Sequence, residues 1–191
     1  AVIDFLKIEG GKKFSLNTLE VARNFYSDKP RGTWEPRTLL KDKTVLILGT
    51  GPSVKKYQTE IEDYIENTKP YVIALNTKSS IQHELINARA ACHPVRLLAN
   101  CQEHLKLPQP LITPYSMLPE TVKKNLINKK IFDFGIIISN LSFSFEKNYC
   151  ELPTSLVIAY TLAVANSGLS KEIILAGFDG YNADDPRRKE M

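Results

Sequence analysis

Lys43–Val54, KTVLILGTGPSV, decides the fold. Thr44–Leu48 is an apolar run with β-branched residues and predicts a buried strand. It runs into Gly49-Thr50-Gly51-Pro52-Ser53, after which apolar residues return at helical spacing. A strand, a glycine turn and a helix together aim backbone N–H groups and a helix N-terminus at an anion. The two glycines let the chain turn and a ligand approach the backbone. Pro52 suits a first helical turn, where its missing N–H is no loss. The turn therefore predicts a nucleotide phosphate site; the plainer alternative is a tight turn with no ligand.

Outward from this stretch the pattern alternates. A helix is expected over 53–66, a strand over Tyr71–Leu75, a helix around 81–91 and a strand over 96–99. A short strand over 111–113, a helix over 119–128, a central strand over 132–138, a helix over 153–166 ended by Gly168, and a strand over 172–176 follow. Short apolar strands alternating with helices predict an α/β, Rossmann-like fold. Its mostly parallel sheet of about six strands has helices on both faces. Ligands of such sheets bind at the carboxyl ends of the strands. Thr50, Ser53, Asn76, Asn100, Ser139 and Asp179 all follow expected strands and are predicted to share that rim.

Before the sheet, residues 1–40 read as a helical segment and linker, with residues 41–191 as the nucleotide-binding-type domain. Trp34, the only tryptophan, is expected to pin the linker onto the domain or to stack on a ligand. The chain lacks an initiator Met and stops after a charged run, Asp184–Glu190, which reads as a solvated loop or the start of a lid; a piece of a longer protein is expected. With 191 residues and 43% hydrophobic content there is enough chain for a real core. The net charge is +4 and the basic residues are scattered, which weakly favours anionic small molecules and gives no reason for a nucleic-acid stripe, so no nucleic-acid partner is expected. No apolar run is long enough to span a membrane. Three cysteines make no disulfide framework, so a cytoplasmic location is expected.

The turn is neither of two familiar phosphate motifs. Val54 stands where the third glycine of a dinucleotide fingerprint belongs, and the second strand ends in Asn76, not an acid. No Gly-Lys-Ser/Thr follows, so it is not a P-loop either. Asn76 offers a donor and an acceptor to a base edge or a ribose hydroxyl, or simply forms a turn. Pro153-Thr154-Ser155 opens the apolar helix and could hold a sugar or phosphate, or only cap. Asp179, in Gly177-Phe178-Asp179-Gly180, could serve as a rim carboxylate or hold Mg²⁺ through phosphates, or bond its own turn. Cys92-His93 and Cys101-x-x-His104 carry metal-ligand atoms in a spacing that matches no standard zinc site, so no metal is expected. A cysteine nucleophile with a histidine base is equally unsupported by the spacing.

LILGTGPSV, VIALN, and the pair TSLVIAYTLAVANSG and KEIILAGFDGY resemble the fold shared by three groups. These are family 42 sialyltransferases, flagellin-modifying motility accessory factors and MptE-like pyrophosphokinases. The resemblance spans about Lys43 to Tyr181. It implies a transferase relative in bacterial carbohydrate or surface-polysaccharide modification, with a CMP-sugar or another nucleotide sugar as ligand. It also implies that Gly49, Gly51, Ser53 and Asn76 line a nucleotide site, with Thr154 and Ser155 near it. Thr50 departs from the Asn of the sialyltransferase turn, and none of His83, His93 or His104 matches their catalytic histidine. Val2–Trp34 resembles the segment after the barrel in aldolases of the 4-hydroxy-2-oxovalerate type. That implies an aldolase barrel fused before this chain, and an alternative function as the accessory domain of such a lyase. The oligomeric state is not legible.

Overall fold

A computed structural model describes residues 30–139 and 143–180. The helices expected near the N-terminus, and the Asp184–Glu190 run, lie outside these residues. The strands of the main sheet are β1 (Thr44–Leu48), β2 (Tyr71–Leu75), β3 (Ala88–Ala90), β4 (Leu111–Thr113), β5 (Ile131–Asp133) and β9 (Glu172–Ala176). Their order is β5-β4-β3-β2-β1-β9, and every neighbouring pair is parallel. A second sheet pairs β6 (Gly135–Ile138) parallel to β8 (Tyr149–Leu152) and β7 (Ser144–Phe145) antiparallel to β8. The helices are α1 (Arg37–Leu40), α2 (Pro52–Lys56), α3 (Gln58–Thr68), α4 (Pro94–Ala99), α5 (Cys101–Lys106), α6 (Glu120–Asn125) and α7 (Val157–Ser167). The fold is the expected Rossmann-like α/β sheet.

Two apolar layers hold it together. Successive strand residues face opposite ways, so Val45, Ile47, Ile73 and Leu75 enter one cluster while Leu46, Leu48, Val72 and Ala74 enter another. The second cluster is closed by Val54, Ile61 and Ile65 of α2 and α3 and by Ile81 and Ile86 of the β2–β3 connection. The first is closed by Leu97 of α4, Val122 of α6, Tyr160, Ala163 and Val164 of α7, and Ile136 and Leu152 of the second sheet. Helices thus cover both faces, and burial on both faces explains why β1 and β2 are almost continuously apolar.

Several expected elements are corrected. The helix expected around 81–91 is a single 3-10 turn, His83–Leu85, followed by β3. Alanine-rich sequence favours helix locally, but Ala88–Ala90 fills the gap between β2 and β4. Residues 96–99 are helical: Pro94 takes the first position of α4 after His93, where its missing N–H costs nothing. Asn100 therefore follows a helix and not a strand. The strand expected over 132–138 breaks at Phe134, and β5 is the edge of the main sheet, not its centre. Beyond the break β6 belongs to the second sheet, which takes Ser139 off the main rim. The α7 helix begins at Val157 after Leu156, so Thr154 and Ser155 precede it.

Trp34 stacks on Phe132 with ring centroids 4.7 Å apart and 23° between planes. The N–H groups of Thr33 and Trp34 both donate to the Asp133 carbonyl at 3.0 Å. The buried Asp133 carboxylate accepts from the Ser116 N–H at 3.0 Å, from the Ser116 hydroxyl, and from Thr33 Oγ1 at 3.3 Å. Asp133→Ala strands these donors. Since a stranded donor costs about 1–3 kcal/mol, and exposed Thr33 and half-buried Ser116 can bond water instead, a loss of about 2–3 kcal/mol is expected. In thermal unfolding that corresponds to a drop of roughly 8 °C; an unchanged midpoint would show that the Asp133 carboxylate does not tie Ser116 and Thr33 in place.

Candidate functional site

Strands β1 to β5 are laid down in one direction from β1, and β9 is added on the other side. Order reverses between β1 and β9. The turn after β1 leads to α2 and α3 on one face, while α7, which precedes β9, packs in the cluster on the other. In open α/β sheets such a reversal point is where ligands bind. The residues standing at its carboxyl end are Gly49-Thr50-Gly51-Pro52-Ser53 and Gly177-Phe178-Asp179.

These two turns are laced together. The N–H of Gly49 donates to Ala176 O at 2.8 Å, that of Gly51 to Gly177 O at 3.0 Å, and that of Ser53 to Asp179 Oδ2 at 3.1 Å. A Cβ on Gly49 would lie 2.3 Å from Gly177 O, and one on Gly51 would lie 2.0 Å from Asp179 Oδ2. Close approach of two backbones is thus one reason for both glycines. The Ser53 hydroxyl, and then its N–H, hold the exposed Asp179 carboxyl below its ordinary range. A fixed negative charge therefore stands at the entry to α2, where a phosphate had been expected.

Asn76 stands beyond β2, next along the rim. Its φ is 56°, a left-handed conformation that Asn tolerates better than most residues. Both backbone groups are tied: its N–H donates to Ala90 O at 2.9 Å, and its carbonyl accepts from Arg89 Nη1 at 3.2 Å. Ser155 comes to the chain just past the end of β3. The Cys92 thiol, just past β3, donates to Ser155 O at 3.2 Å. The rim thus runs Asp179, Ser53 and Thr50, Asn76, then Ser155.

Beneath Asn76 lies a buried polar group that the sequence did not reveal. Arg89 Nε donates to Gln109 Oε1 at 3.0 Å, and Nη2 meets His83 Nδ1 at 3.3 Å. Gln109 Nε2 donates to His83 O at 2.6 Å. Burial pulls the Arg89 guanidinium down to about 10, so it stays charged at neutral pH. The only local signal is a lone arginine between alanines.

Three of the four cysteine and histidine positions, Cys92, Cys101 and His104, are buried in the core, and His93 stands half-buried before α4. Burial pushes the Cys92 thiol up to about 12, which leaves no thiolate at neutral pH to act as nucleophile. Cys101 donates to Leu97 O at 2.8 Å inside its own helix. His104 is 1% exposed. Among the described residues no group of three or more His, Cys, Asp or Glu is placed to hold a metal, and no helix is long and apolar enough to cross a membrane.

Fold and rim define a Rossmann-like domain with a polar reversal point. Among solved structures it is similar to "Structure of MAf glycosyltransferase from Magnetospirillum magneticum AMB-1", with a TM-score of 0.58 at 17% sequence identity. The match covers 93% of this chain and 30% of that one. At that identity the likeness establishes a shared fold. No family model matches the chain, and no curated protein matches it.

Proposed function

We propose that the chain is a nucleotide- or nucleotide-sugar-binding domain of transferase type, acting in carbohydrate modification, with its ligand across the rim from β9 to β3. The observation that carries this reading is the gathering of Thr50, Ser53, Asn76 and Asp179 at the order reversal of a parallel sheet. Asp179 already occupies the Ser53 N–H, and a phosphate there would meet a like charge. In this reading Asp179 takes ribose or sugar hydroxyls. The phosphates lie toward the Thr50 hydroxyl and Asn76, which reads the base or the second ribose. Thr154 and Ser155 bound the far end. Gly49 and Gly51 keep the backbone close enough for the ligand to lie flat. A transferase of this kind works mainly by positioning its substrates and stabilising the departing nucleotide.

One observation favours a second reading. The N–H groups of Gly49, Gly51 and Ser53 are all taken by β9 and its extension, as a turn without a phosphate would allow. On that reading the domain is a non-catalytic accessory to an aldolase-like lyase, fused after its barrel. It rests otherwise on the sequence of Val2–Trp34 alone.

Thermal-shift measurements with CMP, CMP-, UDP- and GDP-sugars and ATP at millimolar levels separate the two. A ligand at a hundred times its Kd stabilises by about 2.7 kcal/mol, a rise of roughly 5–10 °C for a chain of this length. The rise should vanish in Thr50→Ala/Ser53→Ala and in Asn76→Gly, which keeps the left-handed backbone and removes only the side chain. Stabilisation by none of the compounds sinks the first reading.

A further inference from the structure

Lysine is scattered along the sequence, but a parallel sheet sorts residues by their place relative to a strand. All six strands of the main sheet enter from one edge. Lys43, Lys69, Lys106, Lys130 and Lys171 stand on the approaches to β1, β2, β4, β5 and β9, and all five are exposed. Backbone bonds fix their adjacency: the Lys171 N–H donates to Lys43 O at 2.9 Å, and the Leu111 N–H to Lys130 O at 2.9 Å. None of the five is in an ion pair among the described residues. Lys43 Nζ lies 5.8 Å from the Tyr71 ring centroid, and Lys130 Nζ lies 5.7 Å from that of Phe132. These contacts hold the two ammonium groups near the strand entrances. Four acids share the edge with them: Asp42 faces Lys41 at 3.9 Å, Glu172 accepts from Thr44 Oγ1 at 3.4 Å, Glu66 lies in the last turn of α3, and exposed Glu84 stands in the turn before β3.

Two large aliphatic side chains project on the same edge. Ile127, between α6 and β5, is 75% exposed, and Leu169, between α7 and β9, is 51% exposed. Leu169 also has φ 54°, a left-handed conformation in which leucine is strained and Gly or Asn is the usual choice. That left-handed turn ends α7, with the Leu169 N–H on Asn166 O at 2.9 Å and the Ser170 N–H on Ala165 O at 3.2 Å, and it leaves half of the leucine side chain in solvent. The two aliphatics stand at opposite ends of the row, because β5 and β9 are the sheet's two edge strands. Five inter-strand gaps of about 4.8 Å make the row roughly 24 Å long. That is well beyond the screening length of about 8 Å at physiological salt, so the row matches an extended anionic surface and not a single small anion. Lysine suits diffuse attraction to such a surface, whereas nucleic acids are gripped by arginine forks and stacking aromatics; this row has no arginine, and its two aromatics, Tyr71 and Phe132, already lie against lysines. Lysines flanked by projecting aliphatics are the pattern of a protein resting on lipid headgroups.

We propose that the strand-entry edge of the main sheet docks on an anionic lipid bilayer. Lys43, Lys69, Lys106, Lys130 and Lys171 meet headgroup phosphates, and Ile127 and Leu169 enter between the headgroups. The opposite rim, with Thr50, Asn76 and Asp179, then faces away from the membrane. The inference is independent of what that rim binds.

Co-sedimentation of the 191-residue chain with mixed phosphatidylglycerol–phosphatidylcholine vesicles, and with pure phosphatidylcholine vesicles, tests it. Binding is expected to the mixed vesicles only. Each lysine near such a surface accounts for about a fivefold change in partitioning, so Lys43→Glu/Lys130→Glu/Lys171→Glu, which removes three attractions and adds three repulsions, should lower it by more than about a hundredfold. Ile127→Asp and Leu169→Asp should each weaken it severalfold; aspartate tolerates the left-handed backbone at 169, and circular dichroism checks that each variant folds. Absence of sedimentation with either vesicle, equal sedimentation with both, or binding that survives the triple charge reversal overturns the proposal. Tighter capture by single-stranded RNA, unaffected by the two aspartates, would make the row a nucleic-acid surface and overturn it as well.

Discussion

Replacing His104 by leucine is expected to protect the protein from acid between pH 6.5 and pH 4. Burial first, then the charges of Lys129 and Arg89, lower the His104 pKa from 6.5 to about 4. In the unfolded chain the ring takes up a proton as pH falls through 6.5; in the folded chain it stays neutral until about 4. The unfolded state therefore binds more protons across this window, and stability falls with pH. The shift of about 2.5 units corresponds to roughly 3 kcal/mol lost once pH 4 is reached. His104 Nδ1 has no hydrogen-bond partner, so leucine gives up no bond at that nitrogen and buries one polar atom fewer. Urea titrations at pH 7 and pH 4.5 should show the parent losing about 2–3 kcal/mol relative to His104→Leu. Carboxylates titrate equally in both and cancel from the difference. Parallel curves at the two pH values would refute the assignment.

Gly177→Ala is expected to be the most damaging small change at the rim. Gly177 has φ 79°, where any side chain is strained. Its added Cβ would land 2.3 Å from Val54 Cγ2 and 3.2 Å from the Gly49 carbonyl. Overpacking costs about 1–3 kcal/mol, and the left-handed backbone adds about 1–2 kcal/mol. A loss of roughly 3–4 kcal/mol should lower the thermal midpoint by about 10 °C. Relief requires the β9 turn to move away from the β1 turn. That breaks the bonds from the Gly51 N–H to Gly177 O and from the Ser53 N–H to Asp179. Ligand stabilisation should disappear with it. A variant as stable as the parent would mean that the two turns are not held in register.

The parts of the fold that could be read from the sequence are those with long, uniform signals. Thr44–Leu48, Tyr71–Leu75 and Glu172–Ala176 are five-residue strands found where expected, and the first two carry apolar side chains to both faces. Ala88–Ala90 is three residues long with an arginine in the middle; only its neighbours make it a strand. The change of sheet at Phe134 leaves a single local mark, the glycine that follows it. It depends on Gly135 packing against the Arg31 carbonyl, where a Cβ would lie 2.4 Å away. The candidate rim residues were visible as polar positions after strands. Their order along the rim was not, because it depends on β9 joining β1 from the far side. The lysine row was invisible for the same reason: its members are distant in sequence and meet only at the entry edge.

That late arrival of β9 bears on how the chain is made. Thr44 pairs with Glu172 and Leu48 with Ala176, so one edge of β1 has no partner until well over a hundred further residues have been synthesised. The β1–β5 half has only shorter loops to close, whereas the last seam closes a long one at greater entropic cost. Until then a nascent chain leaving the ribosome carries an apolar strand with an open side, the kind of edge that recruits the wrong neighbour. The seam that shapes the rim is thus also the step at which folding is most exposed to error.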